Sequence, residues 1–529
     1  MRTPFLFCVT LFLSNCLNYV CYAEEFSFSS SSPQNSPFSA GTINQEIVAI
    51  LNAKENGLLY RSNFEYRADD VEALYKSTNY TPVWIANAQT EKNITELLNL
   101  LSNAGAQGLN ANDYSANTLL QKLPAILQLK PDDNSADLAL YDTALSISLV
   151  RFLHDIHYGR VNPRNLDFKL KLRTKKAIDI PKLIKTAFSD GTISQLAANV
   201  EPNLQQYHQL RSALAVYREM RSSGLHDDKK SRSFTGKKVN IIQRITQIEL
   251  AMERLRWLPE MTAGQSIIVN IPSFQLWAID ATDQSNPPVL NLKVVVGKAL
   301  KHQTPILMAD LRYIEFMPYW NVPISILKNE IFPKLGANPN YLSGQNMELV
   351  SLRGNNDGSL YSQVMQGNIR IRQRPGGQNA LGRIKFVLPN KDGVYMHDTP
   401  SKALFARTRR DFSHGCVRVQ HPSALAHFVL KNQDGWTEDR IDSTLSTDNH
   451  RQISLKNPIP VLFFYATAFY EQGDKLSFYD DIYGHDAALL SALMKVDDVP
   501  DHVLIANEPE KIIEPSHIPT IESFDSQLF

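Results

Sequence analysis

The sequence is poor in cysteine: four in 529 residues, and three of those, Cys8, Cys16 and Cys21, fall in the first 21 positions. It has no excess charge of either sign, with 54 basic against 54 acidic side chains, which argues against the basic surface of a general nucleic-acid binder. Beyond the N-terminus no apolar run is long enough to cross a bilayer. There is no internal repeat and no zinc-type ligand spacing. Arg374-Pro375-Gly376-Gly377 reads as a turn, because no Lys-Ser/Thr follows to make a phosphate loop. No cofactor and no metal are therefore expected.

What is present begins with an address. Arg2, the apolar stretch 5–13 and the small residues at Cys21 and Ala23 make residues 1–23 a signal peptide, with an uncleaved inner-membrane anchor as the alternative. Export to the periplasm would leave Cys416 as the only thiol. Such compartments oxidise thiols, so a lone one is either buried and inert or kept for its chemistry.

Residues 24–44 are Ser-rich with Pro33 and Pro37 and read as a disordered linker. Residues 45–224 read as a mainly helical domain: 144–157 and 204–217 carry apolar residues at helical spacing. His154 and His157 share one such face and read as structural. The polar stretch 221–237 reads as a linker, and 225–262 as that linker plus a connecting helix. From about 263 the period switches to strands, at 266–271, 274–279, 291–298, 313–317, 384–388 and 394–396. Residues 263–440 are taken as a second domain, with an insertion at about 323–375. Residues 441–504 should pack on both domains, and 505–529 form a flexible tail. The fold class is α+β.

The chemistry is concentrated at 394–422. Cys416 stands in Ser413-His414-Gly415-Cys416-Val417-Arg418. A Gly before a nucleophile permits a tight turn that bares backbone amides for an oxyanion. A helix starting soon after would lower the thiol pKa. His397 ends a predicted strand nineteen positions upstream (416 − 397), close enough through a strand and a loop to form a thiolate–imidazolium pair. His414, two residues from the sulfur, should diverge from it and line a cleft.

His397 and the Ser413–Arg418 block resemble the signature of the L,D-transpeptidase catalytic domain. Tyr319-Trp320-Asn321-Val322-Pro323, Arg372-Gln373-Arg374-Pro375-Gly376, Asn379-Ala380-Leu381-Gly382, His397-Asp398-Thr399-Pro400 and Asp480-Asp481-Ile482-Tyr483-Gly484 are similar to the large periplasmic branch of Gram-negative bacteria. The resemblance covers about 144–484. It implies a mixed β-sandwich catalytic domain with a substrate-capping insertion, preceded by a helical scaffold domain. The branch usually has a peptidoglycan-binding module before a stretch like Arg256-Trp257-Leu258-Pro259; only the short polar linker stands there in this chain.

The activity implied is crosslinking of peptidoglycan tetrapeptide stems between diaminopimelate residues through a Cys416 thioester, with D-Ala released. His397 would be the base and the Gly415 and Cys416 amides the oxyanion donors. Ser413 and Arg418 would orient the loop and stem carboxylates, and His414, Tyr395 and Trp320 would line the cleft. Carbapenem acylation of Cys416, a monomeric state, and peptidoglycan glycosyltransferases and D,D-carboxypeptidases as partners are also implied. The rival readings are an L,D-carboxypeptidase or cysteine endopeptidase acting on wall peptides, a zinc site drawn from His397, Asp398, His414, Cys416, His421 and His427, and a catalytically silent wall scaffold.

Overall fold

The computed structural model describes residues 42–495 apart from 86–89, 131–133, 171–177, 226, 233–237, 260–263, 283–288, 353–357 and 472–474. The leader with Cys8, Cys16 and Cys21, the Ser-rich segment up to residue 41 and the tail 505–529 lie outside the described residues. Among those described, no helix is long and apolar enough to cross a membrane.

The N-terminal unit is a helical cluster around one long helix, Ser135–Tyr158. Its sequence shows an apolar face, yet the structure buries nearly all of it, on every side. Most of the buried polar residues on that helix find partners, Ser148 Oγ being an exception. Asp142 accepts from Tyr75 Oη at 2.6 Å and from the backbone N–H groups of Val83, Trp84 and Ile85 at 2.9, 2.7 and 3.1 Å. This pins the extended Tyr80–Trp84 turn to the helix, and Trp84 Nε1 donates to Ser146 Oγ at 2.9 Å. His154 Nε2 meets Asp70 at 2.6 Å, and His157 Nδ1 donates to the Val200 carbonyl at 2.7 Å.

Packing divides the chain differently from composition. The first apolar core runs from Ile43 to Val200. Helix Gln205–Ser222, expected to belong to the helical domain, sends Tyr207, Leu210 and Leu214 into the core of the second unit instead. Its apolar face carries no mark of which core it joins. The expected polar linker contains a short antiparallel pair, β1 (Asp227–Arg232) with β2 (Lys238–Asn240). The connecting helix Ile241–Arg256 follows, capped by Asn240, whose side chain accepts from the Ile242 N–H.

Strands β3 (Gln265–Asn270), β4 (Gln275–Asp280), β5 (Val289–Gly297) and β6 (Leu307–Phe316) open the catalytic sheet. After them come β7 (Trp320–Asn321), β8 (Met347–Ser351) and β9 (Ile369–Gln373). Strands β10 (Ile384–Val387), β11 (Met396–His397), β12 (Asp411–Ser413) and β13 (Val417–Val419) carry the site. Last are β14 (Arg451–Phe464) and the hairpin β15 (Ala468–Glu471) and β16 (Lys475–Phe478).

The main sheet has the order β12-β5-β13-β11-β10-β6-β14-β3-β4, and β4 also pairs with β5, so the ladder closes on itself. It is mixed: β14–β3, β11–β13 and β12–β5 are parallel. Strand β14 sits between β6 and β3, so a domain limit at 440 cuts through the sheet. The mostly exposed, polar first half of β14 hides this in the sequence. The insertion is a small body of its own, with a three-stranded sheet β7-β9-β8 and a core of Val322, Leu327, Ile331, Val364 and Ile371.

Candidate active site

Register builds the site. His397 on β11 lies opposite Arg418 on β13 and Lys385 on β10, and Lys385 lies opposite Glu315 on β6. Alternation along a strand sends Val417, Met396, Phe386 and Ile314 into the apolar core, where all are 0 % exposed. It sends Arg418, His397, Lys385 and Glu315 to the opposite face as one polar row. Tyr395 and Cys416, two residues before His397 and Arg418, share that face. The strands are only two and three residues long, yet pairing on both sides fixes each side chain.

The cysteine loop is held by backbone geometry. Gly415 has φ +114°, a conformation that favours glycine. Ser413 Oγ donates to the Cys416 carbonyl at 2.6 Å and accepts from the Gly415 N–H at 3.2 Å. Thr304 Oγ1 donates to the Gly415 carbonyl at 2.7 Å, and Tyr483 Oη donates to the Gly297 carbonyl at 2.6 Å. A Cβ on Gly297 would fall 1.9 Å from the His302 carbonyl oxygen, so only glycine lets the 298–304 loop close against β5.

This changes the expected oxyanion donors. The Gly415 N–H is spent on Ser413. The ladder between β13 and β5 runs from Val419 to Arg418, opposite Val295, and stops there. Among the described residues the Cys416 N–H has no acceptor, which makes it the available donor.

The charge state differs from an ion pair at rest. Burial pushes the half-buried Cys416 thiol up, against the opposing pull of Tyr395, whose backbone amide and hydroxyl bond the sulfur, and of Lys385 and Arg418. Burial, then the Arg418 charge and Lys385, drive His397 down to about 3. Both groups therefore rest neutral. The helix expected to lower the thiol pKa, Pro422–Leu430, begins only after β13 has intervened. His397 Nδ1 lies 2.5 Å from the Asp398 carbonyl. A carbonyl can only accept, so Nδ1 carries the proton and Nε2 is the basic atom. Among the described residues no hydrogen bond joins Nε2 to the Cys416 sulfur.

Arg418 is the unusual charge. Burial lowers its pKa, its Nε is buried without a partner, and among the described residues no carboxylate meets it. An unmatched guanidinium beside a thiol is a place for an anionic ligand group.

The remaining predicted residues divide. Tyr395 stacks edge-on against His397 with ring centres 5.7 Å apart, and Lys385 lies 4.8 Å over its ring. His414 turns toward the insertion: its Nε2 lies 2.6 Å from Glu330 Oε1 and its ring packs 5.0 Å from His302. Trp320 packs against the insertion's own core. The histidines considered as zinc ligands point to different partners, Asp398 for His397, Glu330 for His414 and Asp442 for His427. Thr304, Lys385, Glu315 and Glu330 escaped the sequence reading; only Lys385 carries a signal, a charge alternating with the apolar Ile384 and Phe386 in a predicted strand.

Comparison with known proteins adds the following. Residues 264–441 match the family model described as the L,D-transpeptidase catalytic domain, and residues 69–214 match a scaffold domain. A Haemophilus influenzae protein named "Putative L,D-transpeptidase" is 28 % identical over 419 residues, covering 78 % of this chain and 77 % of that protein.

Proposed function

We propose that this chain, whose residues 264–441 match the L,D-transpeptidase catalytic-domain family, crosslinks peptidoglycan stems through a Cys416 thioester. The observation that carries this reading is the outer face around Cys416: among the described residues a backbone N–H without an acceptor, an imidazole with Nε2 available, and a guanidinium without a carboxylate surround one thiol.

In the first step the Cys416 sulfur attacks the diaminopimelate carbonyl next to the terminal D-Ala of a tetrapeptide stem. His397 Nε2 takes the thiol proton and delivers it to the departing D-Ala nitrogen. The Cys416 N–H faces the developing oxyanion, Tyr395 steadies the sulfur, and Arg418 holds a stem carboxylate. In the second step the side-chain amine of another diaminopimelate attacks the thioester. His397 accepts its proton and returns it to the sulfur, leaving a 3→3 amide and a free thiol. A neutral resting pair suits this cycle: the thiol proton leaves with D-Ala in the first half, the proton of the incoming amine replaces it in the second, and His397 ends each half neutral. Export to the periplasm, and tetrapeptide supply by D,D-carboxypeptidases working beside glycosyltransferases, belong to the same reading.

The test is incubation of the purified protein with tetrapeptide-rich sacculi and separation of the muropeptides. New dimers resistant to D,D-endopeptidase, together with free D-Ala, are expected. Shortened monomers alone would reassign the enzyme as a carboxypeptidase or endopeptidase, and unchanged muropeptides would leave a silent scaffold.

A further inference from the structure

A second cleft, of about 880 Å³, lies where the N-terminal unit meets helices Gln205–Ser222, Ile241–Arg256 and His485–Met494. Its size is that of a small-molecule site. Six charged side chains line it, and they pair off among themselves. Arg160 meets Asp113 at 2.8 Å, Arg218 meets Glu249 at 2.7 Å, and Arg256 meets Glu253 at 2.8 Å. No ion in the cleft is left to select a charged ligand, in contrast to Arg418.

The mouth is polar without charge. Asn110, Asn112, Asn117 and Thr118 stand exposed along one wall. Among the described residues the side-chain amides of Asn112 and Asn117 have no intramolecular partner, and Asn110 uses only its oxygen, accepting from the Asn112 N–H at 3.1 Å. Each free amide offers two donors and an acceptor in one plane. Tyr60 is 61 % exposed at the same mouth, with its backbone N–H fixed to Ser115 Oγ at 2.8 Å. Leu490, Leu493 and Met494 of helix His485–Met494 add an apolar part to the lining.

Planar amides, hydroxyls, a tethered aromatic ring and a neutral field together fit an uncharged ligand with many hydroxyls and flat C–H faces. We propose that this cleft binds saccharide, namely an N-acetylhexosamine strand whose acetyl groups meet the apolar part of the lining. Choosing the wall glycan as the natural source rests on the function proposed above; the saccharide class rests on the cleft alone.

The experiment uses the full chain and chitopentaose, which carries no peptide, titrated by calorimetry. Saturable binding is expected, unchanged by Cys416→Ala, and weakened roughly fivefold or more by Tyr60→Ala and by the double variant Asn112→Ala/Asn117→Ala. These side chains are exposed and outside the catalytic face, so both variants should fold and release D-Ala from a soluble tetrapeptide at the parent rate. Absence of saturable binding, or binding indifferent to both variants, would overturn the proposal. The D-Ala assay reports separately on the catalytic reading, so the two can fail independently.

Discussion

The two clefts handle charge in opposite ways. In the second cleft three arginines are matched to three carboxylates, and Arg256 and Glu253 are both nearly fully buried. On the face around Cys416, Arg418 meets no anion among the described residues, and the thiol and imidazole beside it are neutral. Matched charges brace the packed segments that carry them. Unmatched ones leave a site whose electrostatics are completed by substrate. The same kind of substitution should therefore have opposite consequences in the two places.

The largest expected effect is on turnover. Cys416→Ala should lower D-Ala release by roughly 10³-fold or more while shifting stability by about 1 kcal/mol or less in urea unfolding. His397→Gln should follow, at about 10²–10⁴-fold. Glu253→Ala should do the reverse. It strands the buried Arg256 and removes the acceptor of the Arg160 and Val161 N–H groups. A loss of about 3–5 kcal/mol in unfolding is expected, with turnover per folded molecule retained. Arg418→Met then sharpens the contrast. With no ion pair to break, stability should hold or rise, while KM for the tetrapeptide rises about tenfold or more. Equal destabilisation by Glu253→Ala and Arg418→Met would end the comparison.

Acidity gives the next effect. His397 sits at about 3 in the fold against its ordinary 6.5. Its folded pKa is depressed, so its stabilising contribution is present above 6.5 and lost as pH falls from 6.5 toward 3. His397 should add up to about 1.4 kcal/mol per pH unit to the slope, beside the likewise depressed His154 and His485, and His397→Gln should lessen the slope by that share in melts between pH 6.5 and 5. Because burial also raises the thiol pKa, alkylation of Cys416 by iodoacetamide should keep accelerating as pH rises from 7 to 9. A plateau below pH 7 would indicate a resting thiolate instead. The smallest effect concerns the insertion. Glu330→Gln weakens the bridge to His414, and kcat/KM should drop a few-fold without change in unfolding.

The site residues were legible before the structure; the contrast in charge was not. Cys416 and His397 announced themselves through motif and spacing, and helices such as Ser135–Tyr158 through periodicity. The free donor was not legible, because Ser413 takes the Gly415 N–H by a side-chain bond that no spacing encodes. Glu330 reaches His414 across 84 positions, and Asp113 reaches Arg160 from another helix. Such pairs exist only once segments distant in sequence pack together. Strand β14 was half hidden, since Arg451–Ser454 pair within the sheet while carrying polar side chains. The neutral charge state was hidden too, because it is set by burial, which motif and spacing leave open.

The most direct measurement is intact-protein and peptide mass spectrometry after mixing the enzyme with a soluble tetrapeptide donor and quenching in acid. The account predicts a thioester adduct on Cys416, equal in mass to the donor less D-Ala, forming much more slowly in His397→Gln and absent in Cys416→Ala. D-Ala release or new crosslinks from the Cys416→Ala protein, with no adduct at that position in the parent, would contradict it.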